Sequence, residues 1–273
     1  MRDMRCTTNA RHETPVVQAE RAVLGPLARA YVPFKTVIEW MAAAVMLVMA
    51  APVLGALAVL LKLTSEGPVF YQQTRLGRGG RPFQIYKLRT MTHQAEAITG
   101  PVWSIAGDPR VTPVGRWLRD THLDEVPQLW NILRGDMSLI GPRPERPVIA
   151  EKIERAMPEF RDRLLVRPGI TGLAQMRQPA DTDLHVVRRK LAHDLHYIAC
   201  LGPLIDATIV VSTGLHFVGM AATAVSRLLV RPFAPELPDE ELAAMVEPEL
   251  PVSGHRIGPV SGVKAKEELP WAA

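Results

Sequence analysis

VIEWMAAAVMLVMAAPVLGALAVLLKL, residues 37–63, decides what kind of protein this is. The run is almost wholly apolar, with Glu39 and Lys62 near its edges. A straight helix of this length measures about 40 Å, more than the roughly 30 Å of a bilayer's hydrocarbon core. Pro52 stands near its centre, where it removes a backbone donor and predicts a bend or break. Each half then reaches only about 17–22 Å, too short to cross alone. Arg21, Arg29 and Lys35 precede the run, and Lys62, Arg75, Arg78 and Arg81 follow it. Positive charge favours the cytoplasmic side, so both ends are expected there. A re-entrant helix that dips in and returns satisfies this; a kinked single-pass anchor is the alternative. Trp40 suits an interfacial position under either reading.

Around this segment the chain is balanced rather than highly charged. Its 273 residues carry 32 lysines and arginines against 28 aspartates and glutamates. That fits an anionic partner without demanding one. Cys6 and Cys200 are far apart, which argues against a disulfide framework or a zinc site. The first residues lack the apolar core of a signal peptide and are expected in the cytosol.

GPVFYQQTRLGRGGRPFQIYKLRTM, residues 67–91, reads as two strands around a glycine-rich turn. Lys87 and Arg89 flank Leu88, and period two places them on one face, able to hold a diphosphate. An ordinary polar strand face explains them equally well. VTPVGRWLRDTHLDEVPQLWNILRG, residues 111–135, reads as two short helices, the second starting near Asp124 and ended by Gly135. Pro127 falls in its first turn, so the adjacent acids Asp124 and Glu125 sit at a helix start, near unpaired N–H groups. Alone, such a pair is a cap and a spare charge. GPRPE follows, with Arg143 held between prolines, and Arg167-Pro168-Gly169 repeats the device. An arginine fork binds phosphate oxygens at two points, and a stiff backbone lowers the cost of ordering it. The pair His193 and His196 lacks a clear third metal ligand. Ala207 to Ser226 is uncharged and suits an interfacial or membrane-associated helix. The stretch from Arg231 onward is rich in proline and glutamate and reads as largely disordered.

YKLRTM, DPRVTPVGRWLR, LDEVPQLWNILRGDMSLIGPRPERP, LLVRPGITGLAQ and RRKLAHDLHYI occur in this order. Together they resemble the bacterial sugar transferases, the polyprenyl-phosphate hexose-1-phosphate transferases or monotopic phosphoglycosyl transferases, in their short catalytic-core form. The resemblance runs from about Val37 to about Ile205. It implies a mainly helical α+β fold: a monotopic membrane protein with an N-terminal re-entrant helix hairpin, a β-hairpin, and interfacial helices around a compact cytosolic catalytic region. The expected division is a cytosolic tail (1–34), a membrane helix broken at Pro52 (35–64), the catalytic domain (65–202), a hydrophobic helix (203–230) and a proline-rich tail (231–273).

It also implies a chemistry at the cytosolic face of the bacterial inner membrane. A sugar-1-phosphate would pass from a UDP-sugar to a polyprenyl phosphate, with release of UMP. Asp124 would be the nucleophile, and Glu125 would help hold Mg²⁺, the implied cofactor, beside it. Lys87, Arg89, Arg119, Arg143, Arg167 and Asp194 would line the phosphate and substrate site. Implied partners are the UDP-sugar, the lipid acceptor and membrane lipid, with a homodimer and other glycan-assembly enzymes as further candidates. A silent membrane scaffold is the rival class, and the intact acid pair argues against it. A nucleic-acid binder has no motif to stand on. The chain departs from the pattern at Ala51, where a serine is usual before the proline, and at Asp120, where a basic residue is usual.

Overall fold

A computed structural model describes residues 24–93, 95, 107–177 and 184–218. The expected tail from 231 onward lies outside the described residues, as do positions 1–23 and 219–230. The dominant element is helix α1, Pro26–Thr64, 39 residues long. Pro26 opens it, where a missing N–H costs nothing. The helix therefore begins inside the expected N-terminal tail. It also runs without interruption through Pro33 and Pro52, so no break in helical structure accompanies Pro52. One lost hydrogen bond can bend a helix without ending it. α1 is long and apolar enough to cross a membrane.

A single stripe of α1 is covered. Ala28, Lys35, Glu39, Ala43, Leu57 and Leu61 are buried, and the gaps between them, four residues or a multiple of seven, return to one helical face. Val45, Val48, Met49, Val53, Val59 and Leu63 stay exposed, far more apolar surface than water tolerates without a partner. The covered stripe serves three parts of the core in turn. Ala28 packs with Tyr197, Ile198 and Ile209. Ala43 meets Ile85, Leu129 and Met137. Leu57 and Leu61 meet Leu88 and Leu118. Both ends of the helix thus rest on one and the same folded unit.

The hairpin expected from the glycine-rich turn is present. Strands β1 (Phe70–Leu76) and β2 (Pro82–Leu88) pair antiparallel, with Tyr71 opposite Lys87. Gly79 and Gly80 take φ of 69° and 75°, the left-handed region where a Cβ is costly. Helix α2 (Pro113–Asp120) follows, capped by the Thr112 hydroxyl, which accepts from the Gly115 N–H at 2.9 Å. Gly115 is required for another reason: a Cβ there would lie 2.0 Å from the Thr90 carbonyl oxygen. Asp120 ends α2 and is exposed. A 3-10 turn (Leu123–Gln128) leads into short helix α3 (Leu129–Leu133).

The chain then forms β3 (Ser138–Ile140), α4 (Pro147–Ala156), a 3-10 segment (Pro158–Leu165), β4 (Gly169–Thr171) and α5 (Leu173–Arg177). β3 and β4 pair parallel. Helices α6 (Leu184–Ala199) and α7 (Pro203–Val218) close the described fold.

Candidate active site

Asp124 and Glu125 occupy the first turn of the 3-10 segment, with Pro127 inside it. His122, just before, adopts φ 55°, an uncommon left-handed value for a side-chain-bearing residue. The expected second helix is thus a tight turn running into α3, so the anion-favouring effect of a long helix start is small here. Charge comes instead from side chains on neighbouring elements.

Lys87, the penultimate residue of β2, donates to Glu125 Oε1 at 2.7 Å. Arg143 donates to the same oxygen at 2.6 Å, and to Oε2 at 3.3 Å. Burial pushes the Glu125 carboxyl up, but Arg143 and Lys87 overcome it and hold the group well below the usual carboxylate range. Burial lowers the Lys87 ammonium below its usual range, against the pull of Glu125.

Asp124 has the opposite balance. It is 6% exposed. Burial pushes its carboxyl above the ordinary aspartate value, and Glu125 adds to this, while Lys87, Arg119 and Arg143 pull it down without prevailing. Both cations make their close contacts with Glu125, and Asp124 feels them only through their field. The site therefore holds one satisfied carboxylate and one short of positive charge.

The surrounding structure fixes these groups. Asn131 on α3 is fully buried; its amide donates to the Gln84 carbonyl at 2.7 Å and accepts from the Tyr86 N–H at 3.1 Å. It thereby occupies the free edge of β2 and sets the height of Lys87 against Glu125. Arg143 is braced through the main chain. Four successive carbonyls accept from outside the loop: Pro142 from the Gly169 N–H at 2.9 Å, Arg143 from Arg163 at 2.7 Å, Pro144 from Arg75 at 3.0 Å, and Glu145 from the Leu76 N–H at 2.9 Å. Gly141 and Gly169 allow this approach, since a Cβ on Gly169 would lie 2.1 Å from the Gly141 nitrogen.

The other expected site residues are placed differently. Arg119 donates from Nε to the Thr90 hydroxyl at 2.9 Å, and its charge is felt at Asp124. Asp194 is buried and paired with Arg163 at 2.7 Å, which puts it one residue behind Arg143. Arg167 donates to the Thr36 hydroxyl of α1 at 3.2 Å. Arg89 turns away from Lys87: its Nη2 meets the carbonyl and hydroxyl of Ser65, both at 2.8 Å, at the end of α1. β2 ends at Leu88, so the period-two alternation that would align Arg89 with Lys87 stops one residue too early. Sequence reasoning did not single out Asn131, Thr90 or Arg163. Asn131 left one signal, a polar residue within the apolar LWNIL turn.

His193, from the histidine pair, is buried, and burial lowers its pKa to about 4, helped by Arg177 and His196. Among the described residues no group of three or more His, Cys, Asp or Glu side chains is placed to hold a metal ion.

A profile of bacterial sugar transferases matches residues 30–219. The chain belongs to the bacterial sugar transferase family. Relatives within that family carry informative names. A Bacillus subtilis protein named as a putative undecaprenyl-phosphate N-acetylgalactosaminyl 1-phosphate transferase is 44% identical over 57% of this chain and 87% of its own length. A Caulobacter vibrioides UDP-glucose:undecaprenyl-phosphate glucose-1-phosphate transferase is 44% identical over 69% of this chain and 72% of its own. An Aeromonas hydrophila UDP-N-acetylgalactosamine-undecaprenyl-phosphate N-acetylgalactosaminephosphotransferase is 41% identical over 67% of this chain and 43% of its own. The acid pair and its cations lie inside the matched region of this sugar transferase.

Proposed function

We propose that this sugar transferase moves a sugar-1-phosphate from a UDP-sugar to a polyprenyl phosphate at the cytosolic face of the inner membrane, the first membrane step of an exopolysaccharide, capsule or O-antigen type glycan. The observation that carries the proposal is the buried Asp124 carboxylate beside a Glu125 that Lys87 and Arg143 hold in place.

In the first step an Asp124 oxygen attacks the sugar-bearing phosphorus, an oxygen–phosphorus bond forms, and the bond to the UMP oxygen breaks. UMP leaves with that electron pair. In the second step an oxygen of the lipid phosphate attacks the same phosphorus and Asp124 leaves as a carboxylate. The product is a polyprenyl-diphosphate sugar. An ionised aspartate needs no base to deprotonate it. It needs relief from repulsion as it nears a diphosphate, and Lys87, Arg119 and Arg143 offer that relief at fixed positions.

The carboxylates also fit Mg²⁺. Magnesium takes hard oxygen ligands and is commonly held by one or two carboxylates plus substrate phosphates. Asp124, whose carboxyl burial pushes up, would be one such ligand, with Glu125 next to it. When bound, the ion would neutralise part of the donor's phosphate charge.

Placement on a membrane rests on α1. Its covered stripe spans both halves and faces one folded unit, while the rest of its apolar surface is exposed. A straight crossing would carry one half away from that unit, so a helix that enters and returns on one side accounts better for the contacts. Trp40 supports it near the interface, donating to the Leu133 carbonyl at 3.2 Å.

The test is UMP release from UDP-sugars by purified protein in detergent with polyprenyl phosphate. The wild type is expected to release UMP and Asp124→Asn to lose at least about 10⁴-fold. Wild-type turnover by Asp124→Asn would remove the nucleophile assignment.

A further inference from the structure

Pro142 and Pro144 lack an N–H, so the loop that carries Arg143 is gripped through its carbonyls. Two of the grips come from arginines that are themselves paired with carboxylates. Arg75 of β1 holds the Pro144 carbonyl, but its partner acid, Glu145 at 3.6 Å, belongs to the loop itself. Arg163 holds the Arg143 carbonyl, and its partner, Asp194, stands on α6. One nitrogen, Nη2, makes both contacts, at 2.7 Å to the carbonyl oxygen and 2.7 Å to Asp194 Oδ2. That nitrogen carries two hydrogens, one for each partner, so the carboxylate fixes the direction of the bond to the carbonyl. The guanidinium lies over the Phe160 ring, 4.7 Å from its centre. Arg163 is 8% exposed and Asp194 2%. A guanidinium cannot shed its charge, and in an interior it is stable only beside a counter-charge. Asp194 supplies that charge. The Arg143 side chain is 43% exposed, so packing does little to hold it. Its aim at Glu125 depends on where its backbone stands.

We propose that Arg163 and Asp194 are positioning residues: together they set the main-chain position from which the Arg143 guanidinium reaches the reacting phosphate. The proposal rests on the function given above. Under it Asp194 acts through Arg143 rather than by lining the phosphate site. The order of action runs from α6 inward. Asp194 keeps Arg163 in the interior, Arg163 holds the Arg143 carbonyl, and Arg143 meets Glu125 at 2.6 Å. Loss of the Asp194 charge frees Arg163 to turn toward water, and the carbonyl loses its donor. A misplacement of about 1 Å in a group that orients substrate can cost about 10²-fold in rate. Charge stabilisation at the transferring phosphorus is felt in kcat more than in ground-state binding.

The experiment uses the full chain in detergent with polyprenyl phosphate. UMP release is measured with UDP-glucose and UDP-N-acetylgalactosamine, per folded molecule, beside the melting temperature of each variant. Asp194→Asn keeps the shape and removes the charge. It is expected to lower kcat about 10- to 100-fold, with the donor KM within about 3-fold of wild type. Arg143→Met should lose more, and Asp194→Asn added to it should lose nothing further, because residues that act through one group are not additive. Arg163→Met with Asp194→Leu removes both charges together, a change that commonly preserves stability. Its melting temperature should stay near that of wild type while kcat remains low, and it serves equally where Asp194→Asn fails to fold. Losses that multiply with that of Arg143→Met would put Asp194 on the substrate itself and overturn the proposal. A kcat that recovers together with the melting temperature would leave the pair a part of the fold alone, and would overturn it too. A wild type that releases no UMP from any UDP-sugar would refute the parent function, a different result from an active wild type with indifferent variants.

Discussion

Two buried ionic clusters differ in how their carboxylates are satisfied. One lies where α1 meets β3 and α7. There Asp206 accepts from the Tyr31 hydroxyl at 2.9 Å, the Tyr197 hydroxyl at 2.8 Å and Lys35 at 2.8 Å. Glu39 accepts from Lys35 at 2.6 Å, from the Ser138 hydroxyl and from the Ile140 N–H at 3.2 Å. Both acids are bound by neutral donors as well as by a cation, so the cluster is closed and holds α1 to the fold. The other cluster surrounds Asp124. There the cations make their close contacts with Glu125, and Asp124 is left above its ordinary pKa. A buried carboxylate saturated by directed hydrogen bonds is a structural part. One buried with field alone remains reactive toward whatever brings positive charge or an electrophilic phosphorus.

The largest expected contrast is in turnover. Asp124→Asn should abolish UMP release, whereas Asp206→Asn should leave turnover per folded molecule within a few-fold of wild type. Equal losses in both would erase the distinction. Stability should show the reverse. Asp206→Ala leaves Lys35 with Glu39 alone and takes the acceptor from the Tyr31 hydroxyl, and should cost about 1–3 kcal/mol, the usual penalty for a buried polar group left unpaired, seen as a lower melting temperature in detergent. Asp124→Asn removes a carboxylate whose charged form is disfavoured by burial. Because the folded pKa is raised, that penalty is fully present above it at neutral pH. The variant should therefore melt no lower than wild type, and by roughly 2–4 °C higher for each 1 kcal/mol recovered.

The pH profile gives a finer contrast. The proposed nucleophile must be ionised, so activity should fall as pH drops through a value above that of an ordinary aspartate. Lys87→Met removes a field that lowers the Asp124 pKa, so the acid limb of kcat/KM should move up. Glu125→Gln removes a neighbouring negative charge, so the limb should move down. Shifts of opposite sign are the signature, and shifts of one sign would show that Asp124 is not the group titrating.

Much of this was legible in the sequence because local chemistry wrote it there. The apolar run, the glycine turn between β-rich segments, the adjacent acids and the proline-braced arginine each need only a few neighbouring residues to read. What was missed depends on distant partners. Pro52 predicted a break, but nothing local revealed that α1 would pack along one unit on both sides of that proline. Lys87 and Arg89 were expected on one face, yet the strand ends between them and Arg89 caps α1 instead. Arg163 and Asp194 are 31 positions apart and meet only in the folded chain, a pairing that no spacing rule anticipates. Asp120, an unexplained extra acid near the pair, is exposed at the end of α2.

The most direct test of the central claim is the mass of the protein itself. Incubated with UDP-sugar and without lipid acceptor, the wild type should gain the mass of one sugar phosphate. Peptide mapping should place it on Asp124, and polyprenyl phosphate should then discharge it. An active enzyme that never carries the adduct, or carries it on another residue, would contradict the account.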